Sequence, residues 1–291
     1  MKTFWMVISC FLMSSLGACV KLAGNHFNLG QTVFMRGFIP VLMLGGWILW
    51  HRLSLRSTYW RPHLYRSTVG TLGMLLYFAT IARLPLAAAV TLNNTSALFM
   101  AAILTLRSRR HPPLPVLLAL GLGFAGVAMV LQPTISQDQW LGDLLGLGSG
   151  LLACIAQLNL RELGRVGEPE WRTVFIFSAT CTLLALPLGL TLPSNATHAT
   201  TTQWSFLLAV GVFGCLGQLA LTRAYSSGRT IVTASLSYTT VIFSSLYGVA
   251  LWGDRLSLLS WLGIATIIIA SLISTHPAVW ADHAMERGNE A

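Results

Sequence analysis

Ten apolar stretches, each long enough to cross a lipid bilayer, follow one another from Phe4 to Ser274, and the loops joining them are alternately rich and poor in arginine. A bilayer core about 30 Å thick needs roughly 20 mostly apolar residues of helix at about 1.5 Å per residue. The expected spans cover residues 4–22, 31–50, 67–83, 86–106, 114–131, 141–160, 173–191, 204–222, 230–252 and 257–274. No Asp, Glu, Lys or Arg occurs between Arg172 and Arg223. Lipid is the solvent such a stretch requires, because it carries no charge to hold it in water. The sequence therefore predicts an all-α, polytopic membrane protein with ten transmembrane helices.

Direction follows from the basic residues, since Lys and Arg beside short loops are retained in the cytoplasm. With the N-terminus inside, Lys2, Arg52, Arg56, Arg61, Arg66, Arg107, Arg109, Arg110, Arg161, Arg165, Arg172, Arg223, Arg229 and Arg287 all fall on the inner side. Only Lys21, Arg83 and Arg255 fall on the outer side, and Arg36 lies within a span. Both termini are then cytoplasmic and the membrane is the plasma membrane, the inner one in a bacterium. The net charge of +9 is a topology signal, and its scattering over separate loops speaks against a nucleic-acid-binding face. Lys2 and the run ending in Leu16, Gly17, Ala18 and Cys19 also have the outline of a cleaved signal. Its removal would reverse the side of every later loop. The cysteines, Cys10, Cys19, Cys154, Cys181 and Cys215, lie within spans with no CxxC spacing, so they are expected to pack as small apolar side chains. Nothing points to a metal or a cofactor.

The chain also resembles itself. Gly70 and Gly73 recur as Gly211 and Gly214, and Gly121 as Gly263; each glycine pair precedes a short turn, a long helix rich in Ser, Thr and Asn, and a final apolar helix. Five helices per half is an odd number, so the second half must cross the membrane in the opposite sense. The expected division is 1–135, 136–275 and a cytoplasmic tail 276–291. Inverted repeats are the usual architecture of secondary transporters, with substrate near the midplane between the halves.

The sequence resembles the drug/metabolite transporter superfamily, and within it the ten-helix EamA-type transporters. The resemblance rests on Leu76, Tyr77, Phe78 and Ala79 with Leu84, Pro85, Leu86 and Ala87 in the first half. In the second it rests on Gly217, Gln218, Ala224, Tyr225 and Gly228, then Tyr247, Gly248, Leu251, Trp252, Gly253 and Asp254. Arg36 matches a commonly basic position. The likeness implies fold strongly and substrate hardly at all. Similar proteins often carry a proline within the fourth and ninth helices; this chain has Asn93, Asn94, Thr95 and Ser96 in one and Tyr238, Thr239 and Thr240 in the other. Side chains are expected to do what carbonyls freed by proline would do.

Polar side chains within a span face a partner helix or a wet cavity. Asn93 and Asn94 are candidates either for binding a polar substrate or for holding helices together. Tyr77 and Gln218 hold corresponding places in the halves and are expected to line a cavity, with Tyr238 from the ninth helix. Lys21 and Arg36 could attract a carboxylate or snorkel to water. No Asp or Glu occupies the middle of a span, which favours facilitated or exchange transport over proton coupling. The reading is a transporter of a small polar or amphipathic metabolite, such as an amino acid, working as a monomer or homodimer. An intramembrane enzyme is disfavoured because all seven histidines are expected in loops or the tail. A channel would more naturally repeat one pore segment through oligomerisation.

Overall fold

The computed structural model describes residues 4–23, 26–81, 83–84, 86–108, 114–131, 140–227, 230–253 and 257–275, and the regular elements among them are all helical. They are α1 (Phe4–Ala23), α2 (Leu29–Trp50), α3 (Trp60–Ile81), α4 (Leu86–Asn94), α5 (Ser96–Ser108), α6 (Leu114–Leu131), α7 (Trp140–Arg165), α8 (Glu170–Thr191), α9 (Thr201–Ser227), α10 (Thr230–Leu236), α11 (Thr239–Trp252) and α12 (Leu258–Thr275). Lys2, Pro85, Arg109, Arg110, Gly228, Arg229, Asp254, Arg255, Arg287 and the tail after Thr275 lie outside the described residues.

Among the described residues, six stretches are long and apolar enough to cross a membrane: α1, α2, α7, α8, α9, and Thr230–Trp252, which joins α10 to α11. Thr91–Leu104, Leu117–Val130 and Leu258–Ile273 are shorter apolar helices. Leu183 and Leu190 on α8, Leu258 and Leu272 on α12 and Trp140 on α7 are exposed. A surface with so many large apolar side chains facing outward suits hydrocarbon.

Helices pack in pairs: α1 on α9, α2 on α8, α3 on α7 and α6 on α12. Each pair is antiparallel. On α2 and α8, Gly30 meets Gly189 at one end while Trp47 meets Trp171 at the other. On α1 and α9, Leu16 approaches Gly214 and Met13 approaches Gly217. On α3 and α7, Gly70 faces Ala156 and Gly73 faces Leu152. On α6 and α12, Gly126 faces Ile267 and Gly263 faces Val130. Small residues let the backbones close in where lipid supplies no hydrophobic drive between helices.

The structure departs from the sequence expectations in four places. First, α3 starts at Trp60 rather than near 67, which draws Arg66 and His63 into the bundle; Arg66 is 3% exposed and His63 0%. His63 is therefore not a loop residue. Second, the helix expected over 86–106 is interrupted at Thr95, and that over 230–252 at Ser237 and Tyr238. Neither break needs proline. The Thr95 hydroxyl donates to the Leu92 carbonyl at 2.5 Å and the Ser237 hydroxyl to the Ala234 carbonyl at 2.6 Å. The backbone N–H groups of Thr95 and Tyr238 bond three residues back rather than four, and that of Ser237 is shared between Thr233 and Ala234; a turn tightened in this way breaks the α ladder. Third, Gly121 has open space around it and the glycine that meets Gly263 is Gly126. Fourth, the α9 glycines whose surroundings match those of Gly70 and Gly73 are Gly214 and Gly217, one turn beyond Gly211. All five cysteines are buried and free, as the sequence led one to expect.

Candidate functional site

On α3, Arg66, Gly70 and Met74 stand one turn apart and Tyr77 follows on the same face, as a period of 3.6 requires. The Arg66 guanidinium lies 3.9 Å above the Phe177 ring of α8. Its Nε and Nη1 are buried with no hydrogen-bond acceptor. Arg36 enters from α2. Its Cγ packs where a side chain on Gly214 of α9 would begin, and its guanidinium reaches the sulfur of Met74. It thus crosses from α9 to α3 rather than snorkelling to a helix end. Cys181, one turn beyond Phe177, lies within electrostatic reach of both arginines, and the Tyr77 hydroxyl within reach of Arg36. Among the described residues no carboxylate pairs with either guanidinium.

The other candidates form separate groups. The Asn93 amide donates to the Ser149 hydroxyl of α7 at 3.0 Å, and that hydroxyl donates to the Gly146 carbonyl at 2.7 Å. Asn93 therefore ties α4 to α7. Asn94, its neighbour beside the break, is half-buried. Gln218 is buried on α9 with its Nε2 unpartnered. Tyr238 is 1% exposed, its ring fills the space beside Gly123 of α6, and its hydroxyl finds no partner. Tyr225 carries a second orphaned hydroxyl nearby in the same core cluster. A buried polar group without a partner forfeits about 1 to 3 kcal/mol, so this concentration of orphans marks where a polar ligand or water has most to gain. Lys21 stands outside the group, its ammonium 4.0 Å above the Trp252 ring.

Outside the spans, one polar cluster ties the 51–59 loop to the turn between α7 and α8. The Glu168 carboxylate accepts from the Ser57 hydroxyl at 2.5 Å and from Arg172 Nη1 at 2.8 Å. His63 Nε2 stands 3.2 Å away, and Arg172 Nη2 donates to the Ser54 carbonyl at 3.0 Å. Burial opposes ionisation of Glu168, but the bonds from Ser57, Arg172 and His63 prevail and hold its carboxyl below the ordinary carboxylate range. Sequence reasoning missed Arg66 and this cluster alike. The available signal was the spacing of Arg66 to Gly70 and Met74, which puts the arginine on the packing face of its helix.

Comparison with known proteins agrees with this architecture. The profile of the EamA-like transporter family matches residues 1–132 and again residues 140–275. The pseudopaline exporter CntI of Pseudomonas aeruginosa is 29% identical over 266 residues, 91% of this chain and 93% of that one. A riboflavin transporter of Rhizobium johnstonii is 31% identical over 225 residues, 75% of this chain and 71% of that protein. An uncharacterized transporter of Helicobacter pylori is 26% identical over 281 residues, 93% and 92% of the two chains. A crystal structure with 18% identity superposes with a TM-score of 0.83 over 94% of this chain and 98% of its own, which speaks for the fold. With both halves matched and relatives that are transporters rather than enzymes, the chain belongs to the EamA-like transporter family.

Proposed function

We propose that this integral membrane protein is a secondary transporter, exporter or importer, of a small polar or amphipathic metabolite such as an amino acid or a related compound. Ten spans form two inverted five-helix repeats, 1–135 and 136–275, that alternate access around a midplane cavity. Each broken helix, α4 with α5 and α10 with α11, then counts as one span, and the termini are cytoplasmic.

The observation that carries this reading is the reciprocity of the packing. Gly126 approaches Gly263 and Ile267, and Gly263 approaches Gly126 and Val130, which is what a twofold axis between α6 and α12 demands. Exchanging the halves turns α1 on α9 into α7 on α3 and leaves α2 on α8 unchanged. The breaks obey the same exchange. Gly150 of α7 sits against the carbonyls of Leu92 and Asn93, while Cys10 of α1 sits 3.6 and 3.7 Å from those of Leu236 and Ser237. Two interrupted helices opposed across a pseudo-twofold axis are the usual setting of a transport site.

Tyr77, Asn93, Asn94, Gln218, Tyr238 and Arg36 are the residues assigned to substrate. Purified protein in proteoliposomes is expected to exchange labelled substrate with internal unlabelled substrate. Asn94→Ala and Gln218→Ala should each weaken half-saturation about fivefold, the equivalent of about one hydrogen bond of 1 kcal/mol. If both variants keep wild-type half-saturation, the cavity lies elsewhere.

A further inference from the structure

Arg36 and Arg66 are two full charges that no acidic side chain among the described residues answers. The Arg66 ring contact with Phe177 offsets part of the cost of burial, since cations favour aromatic faces, but it satisfies no N–H group. Structural arginines in membranes find carbonyls or carboxylates; here Nε and Nη1 of Arg66 find neither, and Arg36 finds only a thioether. The two charges also repel one another. The surroundings of Gly70 (Phe177 and Ala156) match those of Gly214 (Arg36 and Leu16), which makes Phe177 the counterpart of Arg36. The positive charge is thus a departure from symmetry, confined to the first half.

The spacing narrows the ligand. Met74, where Arg36 arrives, is eight residues from Arg66, about 12 Å along α3. The Arg66 side chain covers the first part of that stretch, its Nη1 reaching 3.8 Å from the position of a Cβ on Gly70. The places the two guanidinium groups reach, Gly70 and Met74, are four residues apart, about 6 Å along the helix axis. That gap suits two carboxylates on a short carbon chain, each met by a guanidinium fork.

Resting on the transport reading above, we infer that Arg36 and Arg66 form the recognition site for a small dicarboxylate-bearing metabolite. The ligand supplies the counter-charge that the described residues do not.

The test uses full-length protein in lipid nanodiscs, with succinate and glutarate as probes and their diamides as neutral controls. The diacids should raise the melting temperature and the diamides should not. Arg66→Met should weaken diacid binding about 30-fold, or about 2 kcal/mol, while melting no lower than wild type without ligand, because it removes an uncompensated buried charge. Arg66→Lys, which keeps the charge but loses the fork, should weaken binding about tenfold. Equal stabilisation by diamides, absence of any diacid effect at millimolar concentration, or unchanged diacid affinity in either variant would overturn the inference. So would a lowered melting temperature of ligand-free Arg66→Met, which would make the charge structural. Exchange of neutral or cationic solutes that is indifferent to Arg66→Met would sink the dicarboxylate site and leave transport standing. Proteoliposomes that move no solute of any charge would sink the transport reading itself.

Discussion

Gly30→Ala is expected to yield no stable, monodisperse protein in detergent. A Cβ at this position would lie 2.2 Å from the Gly189 nitrogen and 2.3 Å from the Leu188 carbonyl carbon. Both obstacles are backbone, so no rotamer change relieves them, and α2 must move off α8. The same end of the pair is fastened by Asn28, whose amide donates to the carbonyls of Gly189 at 3.2 Å and Leu192 at 2.8 Å while its oxygen caps α2 through the Gln31 N–H at 2.8 Å. Separating the helices breaks those bonds as well, and the combined cost exceeds about 3 kcal/mol. Gly46→Ala on the same helix is the control. Nothing lies within 4 Å of its Cβ position, so the gain in helix propensity, up to about 1 kcal/mol, should leave it as stable as wild type or slightly more so. Thermal melts followed by size-exclusion chromatography separate the two outcomes. Equal melting temperatures for the two variants would mean that the α2–α8 contact is not as close as described.

Glu168→Gln is expected to lower stability by about 2 kcal/mol, between the limits for exposed and buried ion pairs. The variant sets an amide against Arg172 and His63, and it cuts the tie between the 51–59 loop and the start of α8. Acid adds a second signature. The folded carboxyl titrates below its ordinary value of 4.5, so its stabilisation is fully present above that value and is lost as pH falls through the depressed one. Wild type should therefore lose melting temperature on acidification below about pH 4.5 more steeply than Glu168→Gln. Parallel pH profiles would show that Glu168 does not carry the acid sensitivity.

Much of this architecture was legible before any coordinate. The apolar helices follow from solvent physics, because a run such as that between Arg172 and Arg223 has only one environment open to it, although their ends do not, as the start of α3 shows. The breaks between α4 and α5 and between α10 and α11 were not legible, because the sign sought was proline. The cause is instead a hydroxyl turned back on its own helix at Thr95 and Ser237, and threonine and serine do this in unbroken helices too. Glycine registers slipped by about one turn for a related reason: spacing along the chain cannot tell Gly211 from Gly214, whereas a neighbouring helix can. Arg66 was hidden by the rule that reads topology so well. Flanking arginines are weighed alike in that rule, and only the early start of α3 at Trp60 turns this one inward. Asn93 was singled out as a polar side chain within a span, and its partner Ser149 illustrates how such a residue can hold helices together. Asn94 and Gln218 remain the better reporters of ligand.

The two-repeat account is tested most directly by which side of the membrane each of two matched loops faces. Thr58, in the loop after α2, and Thr197, in the loop after α8, are both exposed, and the five native cysteines are buried, so single Thr58→Cys and Thr197→Cys variants carry one reactive thiol each. A membrane-impermeant maleimide should label Thr197→Cys in intact cells and Thr58→Cys only in inverted vesicles. Labelling of both from the same side would contradict the inverted arrangement.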